Sequence, residues 1–220
     1  MRIALCGGTG DIGTGLALRW TRDTPHEVVI GSRDPEKARE HAERYEDELR
    51  SRDIEGKVNG FDNAMAADRA DVVVLCVPAY HLADTIESIA DGLDDTVLVS
   101  PAVGMKNRDG AMTYNPPSAG SVTALAAGAA PDGVPVVGAF HNLAAGRLAD
   151  LDADLDWDVL VVGDDSDAKS TVEDLTTEIE GIRALDAGPL AAAPEVEGLT
   201  PLLINLAGNN DLHDLGVRFQ

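Results

Sequence analysis

Arg2-Ile3-Ala4-Leu5-Cys6-Gly7-Gly8-Thr9-Gly10-Asp11-Ile12-Gly13 is an apolar run that passes straight into a glycine turn. A second apolar run, Val28-Val29-Ile30, ends in Gly31-Ser32-Arg33. Together they read as strand, turn, helix, strand. Gly8, Gly10 and Gly13 match G-x-G-x-x-G. In that pattern Gly8 permits the tight turn, Gly10 lets the backbone approach a pyrophosphate, and Gly13 lets the helix pack close on the strand. The helix expected over Asp11–Arg22 would aim free N–H groups and its positive dipole end at the phosphates. Thr9 can add a hydroxyl donor.

The end of the second strand selects the nucleotide. An acidic residue there would bond a ribose 2′-hydroxyl, whereas an arginine accommodates a 2′-phosphate. Here the positions hold Ser32 and Arg33, and Lys37 lies one helical turn further on. This set points to NADP. The competing reading makes Arg33 and Lys37 ordinary surface charges. Asp34 and Glu36 lie between them, and Asp34-Pro35 reads as a helix start with both acids facing solvent.

Composition narrows the class. The chain has 220 residues, 44% of them hydrophobic, enough for one large α/β domain or a domain with a small extension. No apolar run is long enough to span a bilayer, and the first is too short for a signal peptide. The expectation is a cytoplasmic protein without a membrane role. Cys6 and Cys76 fall in apolar runs and are expected as buried free thiols, with no metal site.

The net charge is −22, from 39 acidic against 17 basic residues. Only Lys37, Lys57, Lys106 and Lys169 are lysines. The acids are spread along the chain, so this is no acidic tail, and the hydrophobic content argues against disorder. An acidic, lysine-poor surface suits a halophilic cytoplasm, where salt screens self-repulsion. No basic stripe exists for nucleic acid.

Strand and helix patterns alternate onward. Helices are expected over Pro35–Arg52, Asp62–Asp68, Ala79–Asp91, Asp165–Ile179 and Glu195–Ala207. Strands are expected over Lys57–Gly60, Asp71–Val77, Thr96–Ser100, Val134–Ala139, Trp157–Gly163 and Ile182–Leu185. The continuous apolar run Val72–Val77 suits a parallel strand buried on both faces. The fold class is α/β, a Rossmann-like doubly wound parallel sheet over residues 1–140. A smaller C-terminal α/β extension, 141–220, completes a cleft.

Residues after the later strands should meet the second substrate. Val77 and Pro78 could wall the cofactor. His81 either bonds a ribose or phosphate or packs its helix. His141 either donates a proton, hydrogen-bonds a substrate carbonyl, or is structural. No tyrosine has a lysine four residues on, the late helix lacks a lysine, and no catalytic acid is evident. The reduction should then need mainly geometry.

Arg2–Arg19, Val28–Arg33, Asp156–Val159, Leu185-Asp186-Ala187-Gly188-Pro189-Leu190 and Leu199-Thr200-Pro201-Leu202-Leu203-Ile204-Asn205 resemble the coenzyme F420H2:NADP oxidoreductases, the NADPH-dependent F420 reductases of archaea and some bacteria. The resemblance covers essentially the whole chain. It implies an oxidoreductase passing hydride between the nicotinamide of NADP(H) and the deazaflavin F420, and a homodimer. It also implies that Thr9, Gly10, Asp11 and Ile12 contact the pyrophosphate and that Ser32, Arg33 and Lys37 hold the 2′-phosphate. Val77, His81 and Ala145 would line the rest of the NADP site. His141, Asn142, Leu143, Asn205, Leu206 and Ala207 would bound the F420 pocket. Phe140–Leu143 and Leu206–Asn209 are less like the family than the N-terminal motifs are. The rival readings are another small reductase, such as a pyrroline-5-carboxylate reductase, and an NADPH sensor without turnover.

Overall fold

In a computed structural model that describes residues 1–220, β1 (Arg2–Cys6) lies between β2 (Glu27–Ser32) and β4 (Val72–Leu75), parallel to both. Helix α1 (Asp11–Asp23) crosses from β1 to β2. Then follow α2 (Pro35–Arg50), β3 (Val58–Asp62) and α3 (Asn63–Ala67). Beyond β4 come α4 (Leu82–Ile89), β5 (Val97–Ser100), β6 (Met105–Arg108), β7 (Ala111–Tyr114), α5 (Val122–Ala129) and β8 (Val136–Gly138). The chain continues through α6 (Ala145–Ala149), β9 (Trp157–Gly163), α7 (Ser166–Thr177), β10 (Ile182–Asp186), α8 (Ala193–Glu197) and α9 (Leu199–Asn210). No helix is long and apolar enough to cross a membrane.

Eight strands form one sheet in the order β3-β2-β1-β4-β5-β8-β9-β10. The first six are parallel, the doubly wound arrangement expected. Strand alternation explains the apolar runs. Ile3, Leu5, Val72 and Val74 face a layer of α1, α2 and α7, while Ala4, Cys6, Val73 and Leu75 face α3, α4 and α5.

The C-terminal stretch joins this same sheet. β9 pairs antiparallel to β8, with Val137 opposite Gly163, and β10 pairs parallel to β9. Asp158 on β9 is fully buried. It accepts from Arg183 (2.8 and 2.7 Å), from Arg218 (3.0 Å) and from the Phe219 N–H (2.6 Å), so the C-terminal tail is clamped to the sheet. These donors, Arg183 first, hold its carboxyl below the usual carboxylate range.

Arg19 makes a second long-range tie. Its buried guanidinium donates to the carbonyls of Leu148 (3.0 Å), Arg147 (3.4 Å), Asp150 (2.5 Å) and Ala153 (2.9 Å). Burying a charge costs several kcal/mol, and four carbonyl acceptors at about 1.5–3 kcal/mol each offset it. Trp20 seals the same face, edge-on to Phe140 at 5.7 Å, with its indole N–H on Leu175 O.

Several elements differ from the sequence expectations. The β6–β7 hairpin and helices α5 and α6 carry no strong periodic pattern and were not anticipated. The expected helix Ala79–Asp91 divides into a 3₁₀ turn (Ala79–His81), α4 and a second 3₁₀ turn (Ala90–Gly92). The last expected helix divides at Gly198 into α8 and α9.

Candidate dinucleotide and substrate site

The glycine turn is held by backbone geometry. Gly7 adopts φ +77°, and its N–H donates to Gly31 O (2.9 Å) and Asn63 Oδ1 (3.3 Å). A Cβ there would lie 2.5 Å from Val77 Cγ1 and 2.7 Å from Cys76 O. The sequence reading assigned the tight turn to Gly8; the left-handed residue is Gly7 instead. Gly8 is needed for closeness, since its Cβ would meet Leu5 O at 2.7 Å. Gly13 matches its expected role, because a Cβ there would lie 2.5 Å from Gly8 Cα. Gly10 differs: nothing lies within 3.6 Å of its would-be Cβ, so that side of the loop is open.

Gly10 is also the N-cap of α1 and supplies no side-chain cap. The first-turn N–H groups are therefore available to an anion. Behind the loop, Tyr45 Oη donates to Gly8 O (3.0 Å) and meets Thr14 Oγ1 (2.7 Å), while Thr14 donates to Gly10 O (2.9 Å).

A cleft of about 550 Å³ opens in front of this loop. Thr9, Gly10, Ser32, Arg33, Lys37, Val77, Pro78 and His81, all predicted from sequence, line it. Arg33 and Lys37 are exposed and form no ion pair with an acid. Ser32 is buried at the strand end and accepts from the Asp34 N–H (3.2 Å). Asp34 turns its carboxylate onto the N–H groups of Glu36 and Lys37 as the cap of α2. The Asp34 carboxylate is thus spent on capping the helix start that the sequence predicts there.

Other predicted residues sit elsewhere. Gly8 and Gly13 pack behind the loop, and Asp11, Ile12 and Ala145 are not among the cleft walls. His81 lines the cleft with its ring 4.4 Å from the Tyr80 ring centroid, and caps no helix with its side chain. Sequence reasoning missed Asn63, Cys76, Asp84, Thr85 and Ser88 as cleft walls. The helical spacing of His81, Asp84, Thr85 and Ser88 was the available signal. Cys6 and Cys76 are free and buried as expected; burial pushes the Cys6 thiol up to about 12 and raises Cys76 as well.

The residues predicted for the second substrate divide into groups. Asn142, Leu143 and Ala207 share a hollow of about 190 Å³ with Thr200, Leu203 and Ile204. His141, whose carbonyl accepts from Thr200 Oγ1 (2.7 Å), is 3% exposed, with Nε2 3.3 Å from Thr123 Oγ1. Thr123 donates in turn to Glu197 Oε1 (2.9 Å), a carboxylate that also receives Tyr114 and two N–H groups of α5. Burial pulls His141 down to about 3, so the ring is neutral near pH 7. Asn205 spends its amide on both backbone groups of Met112 (2.8 and 2.7 Å). Leu206 is exposed. A larger hollow of about 490 Å³ lies between Pro78–Tyr80 and the β6–β7 hairpin, with Val103, Met105, Met112 and Pro117 on its walls. It shares Pro78 with the dinucleotide cleft.

The mostly parallel sheet, its glycine loop and the basic strand end are those of a Rossmann-type dinucleotide-binding protein. Comparison with known proteins narrows this. Residues 2–104 match the family model described as NADP oxidoreductase, coenzyme F420-dependent. The F420-dependent NADP reductase of Methanocaldococcus jannaschii is 39% identical over 209 residues, covering 94% of this chain and 92% of that protein. A solved structure from Arthrobacter sp. FB24, provisionally assigned as an F420-dependent NADP reductase, superposes with a TM-score of 0.82 at 26% identity. It covers 100% of this chain and 99% of that one. A pyrroline-5-carboxylate reductase from Coxiella burnetii shares the fold, with a TM-score of 0.61 at 17% identity over 94% of this chain and 67% of that one. The chain belongs to the F420-dependent NADP reductase family.

Proposed function

We propose that the protein transfers hydride between NADP(H) and F420, and that the cleft in front of Gly7–Gly10 holds the dinucleotide. The carrying observation is the alignment of three features in one cavity: an uncapped α1, an open Gly10, and Ser32, Arg33 and Lys37 free of acidic partners. The α1 N-terminus and Thr9 receive the pyrophosphate, with Asp11 and Ile12 supplying first-turn N–H groups. Ser32, Arg33 and Lys37 take the 2′-phosphate. The nicotinamide end then lies at Val77–Pro78, with Ala145 close by.

When bound, the deazaflavin accepts or returns the hydride; the chain's own residues position the two rings. Pro78 belongs to both the dinucleotide cleft and the larger apolar hollow, which offers the second ring an apolar wall beside the nicotinamide. Leu143 and Ala207 border the smaller hollow on the C-terminal side, and residues 141–220 complete that boundary. His141 stays neutral and supports this wall through its bond with Thr200 rather than giving a proton. Asn205 fixes the hairpin through Met112 and acts on the site indirectly.

A homodimer suits helix α9. Leu202 and Leu206, one turn apart on α9, are 52% and 43% exposed, and only Pro201 of this helix is buried. A second copy covering that face would remove them from water. The acidic surface suits a salt-rich cytoplasm, and we place the enzyme there.

The test mixes purified protein with NADPH and F420 and follows loss of the oxidised deazaflavin's absorbance. Bleaching supports the reading. Turnover with pyrroline-5-carboxylate but not F420 replaces it with the imine-reductase alternative, and NADPH binding without any acceptor reduced makes the protein a sensor.

A further inference from the structure

The dinucleotide cleft has two chemically opposed walls. One side carries donors: the α1 N-terminus, Thr9, Arg33 and Lys37. The cleft is lined as well by α4 and the turn before it, through His81, Asp84, Thr85 and Ser88. Thr85 spends its hydroxyl proton on His81 O (2.8 Å), and Ser88 spends its own on Thr85 O (2.7 Å). Both hydroxyls therefore offer the cleft only lone pairs. Asp84 is the only carboxylate among the lining residues, and it carries no hydrogen bond or ion pair of its own.

A carboxylate beside two accepting hydroxyls is unsuited to a phosphate, which it would repel. It suits a ligand group that donates. With the phosphates assigned to the donor residues and the nicotinamide to Val77–Pro78, the ring left for α4 is the adenine. Its only donor is the exocyclic 6-amino group. We propose that Asp84 reads this amino group, with Thr85 and Ser88 as accepting neighbours. The wall then makes the enzyme selective for adenine over a purine that carries an oxygen at the same position. The first turn of α4 favours an acid at Asp84 through the helix dipole, but that effect places no acceptor in the cleft. This inference rests on the NADP reading of the cleft.

Nicotinamide hypoxanthine dinucleotide phosphate tests it, since it replaces the amino group with a carbonyl and leaves every phosphate in place. Binding of both dinucleotides is measured by titration of the protein's own fluorescence and by calorimetry. The wild type should bind the hypoxanthine compound about tenfold or more weakly, because the 6-carbonyl then meets the carboxylate and the new N1–H donor, one atom round the ring, is out of line with an acceptor placed for the 6-amino group. Asp84→Ala should shrink that gap to about twofold by weakening only the adenine compound. Asp84→Asn, whose amide can donate, should narrow or reverse it. Asp84 is exposed, so melting temperatures of the variants should fall by no more than the small first-turn dipole contribution it loses. A gap unchanged in Asp84→Ala, or no gap in the wild type, overturns the assignment while leaving the NADP site intact. Failure of the wild type to bind either dinucleotide overturns the NADP reading itself.

Discussion

Tyr45 donates its hydroxyl proton to the carbonyl oxygen of Gly8 across 3.0 Å, so helix α2 grips the glycine loop from behind. The hydroxyl is buried and also meets Thr14 in the first turn of α1. Removing it in Tyr45→Phe leaves a buried carbonyl short of a donor, at a cost of about 1–3 kcal/mol. Part of that cost should fall on the loop's order. NADP(H) affinity should drop several-fold, with the KM for F420 unchanged. Lower melting temperature with unaltered NADP(H) affinity would restrict Tyr45 to holding the fold.

Arg33 and Lys37 face the cleft with no acid to neutralise them. Charge-assisted bonds to a phosphate contribute about 1.5–3 kcal/mol each. Arg33→Gln should therefore weaken NADP by roughly tenfold to a hundredfold and NAD by little. Equal losses for the two dinucleotides would remove the guanidinium from the 2′-phosphate.

His141 should make the protein acid-sensitive. Its folded pKa, about 3, lies below the ordinary value of 6.5, so between those pH values the unfolded chain binds the extra proton. The stability it confers is complete above pH 6.5 and falls as pH drops toward 3, by about 1.4 kcal/mol per unit. The stability difference between wild type and His141→Gln should shrink along that slope from pH 6.5 to 4.5 in denaturant titrations. A difference that stays constant over this range would show that His141 titrates normally in the folded state.

The charge of −22 predicts a salt requirement. Self-repulsion among exposed carboxylates is weak when the screening length is about 3 Å, at molar salt, and grows as that length increases. The melting temperature should fall steadily from molar to millimolar KCl. A flat profile would mean that the acids are compensated locally.

The N-terminal half of the site was legible because local rules govern it. A glycine pattern between a strand and a helix, and a basic pair at the next strand end, act within a few residues of each other. Even there the positive φ fell to Gly7, because the turn must close under Val77 and Cys76, which arrive from β4 far along the chain. The α4 wall was hidden for the same reason: Asp84 and Ser88 read as the polar side of an amphipathic helix until the fold brought them to the cleft that Arg33 also lines. The C-terminal half depends on long-range placement. Trp157–Gly163 reads as a strand, but nothing in it states that it runs against Val136–Gly138. Small, apolar Val122–Ala129 is a weak helix signal, and it is held by Glu197 from far along the chain. Asn205 looked like a pocket residue until Met112 of an unforeseen hairpin claimed its amide.

The clamp around Asp158 bears on how firmly the sheet edge stays closed. A protease that nibbled away Arg218 and Phe219 would take two of the partners of a carboxylate that has no access to water. The remaining Arg183 pair would hold an under-compensated charge, and breaking up such a cluster is costly, about 3–5 kcal/mol where a whole partner is lost. Loss of the Arg218 and Phe219 contacts would therefore let the β9–β10 edge of the sheet open more often.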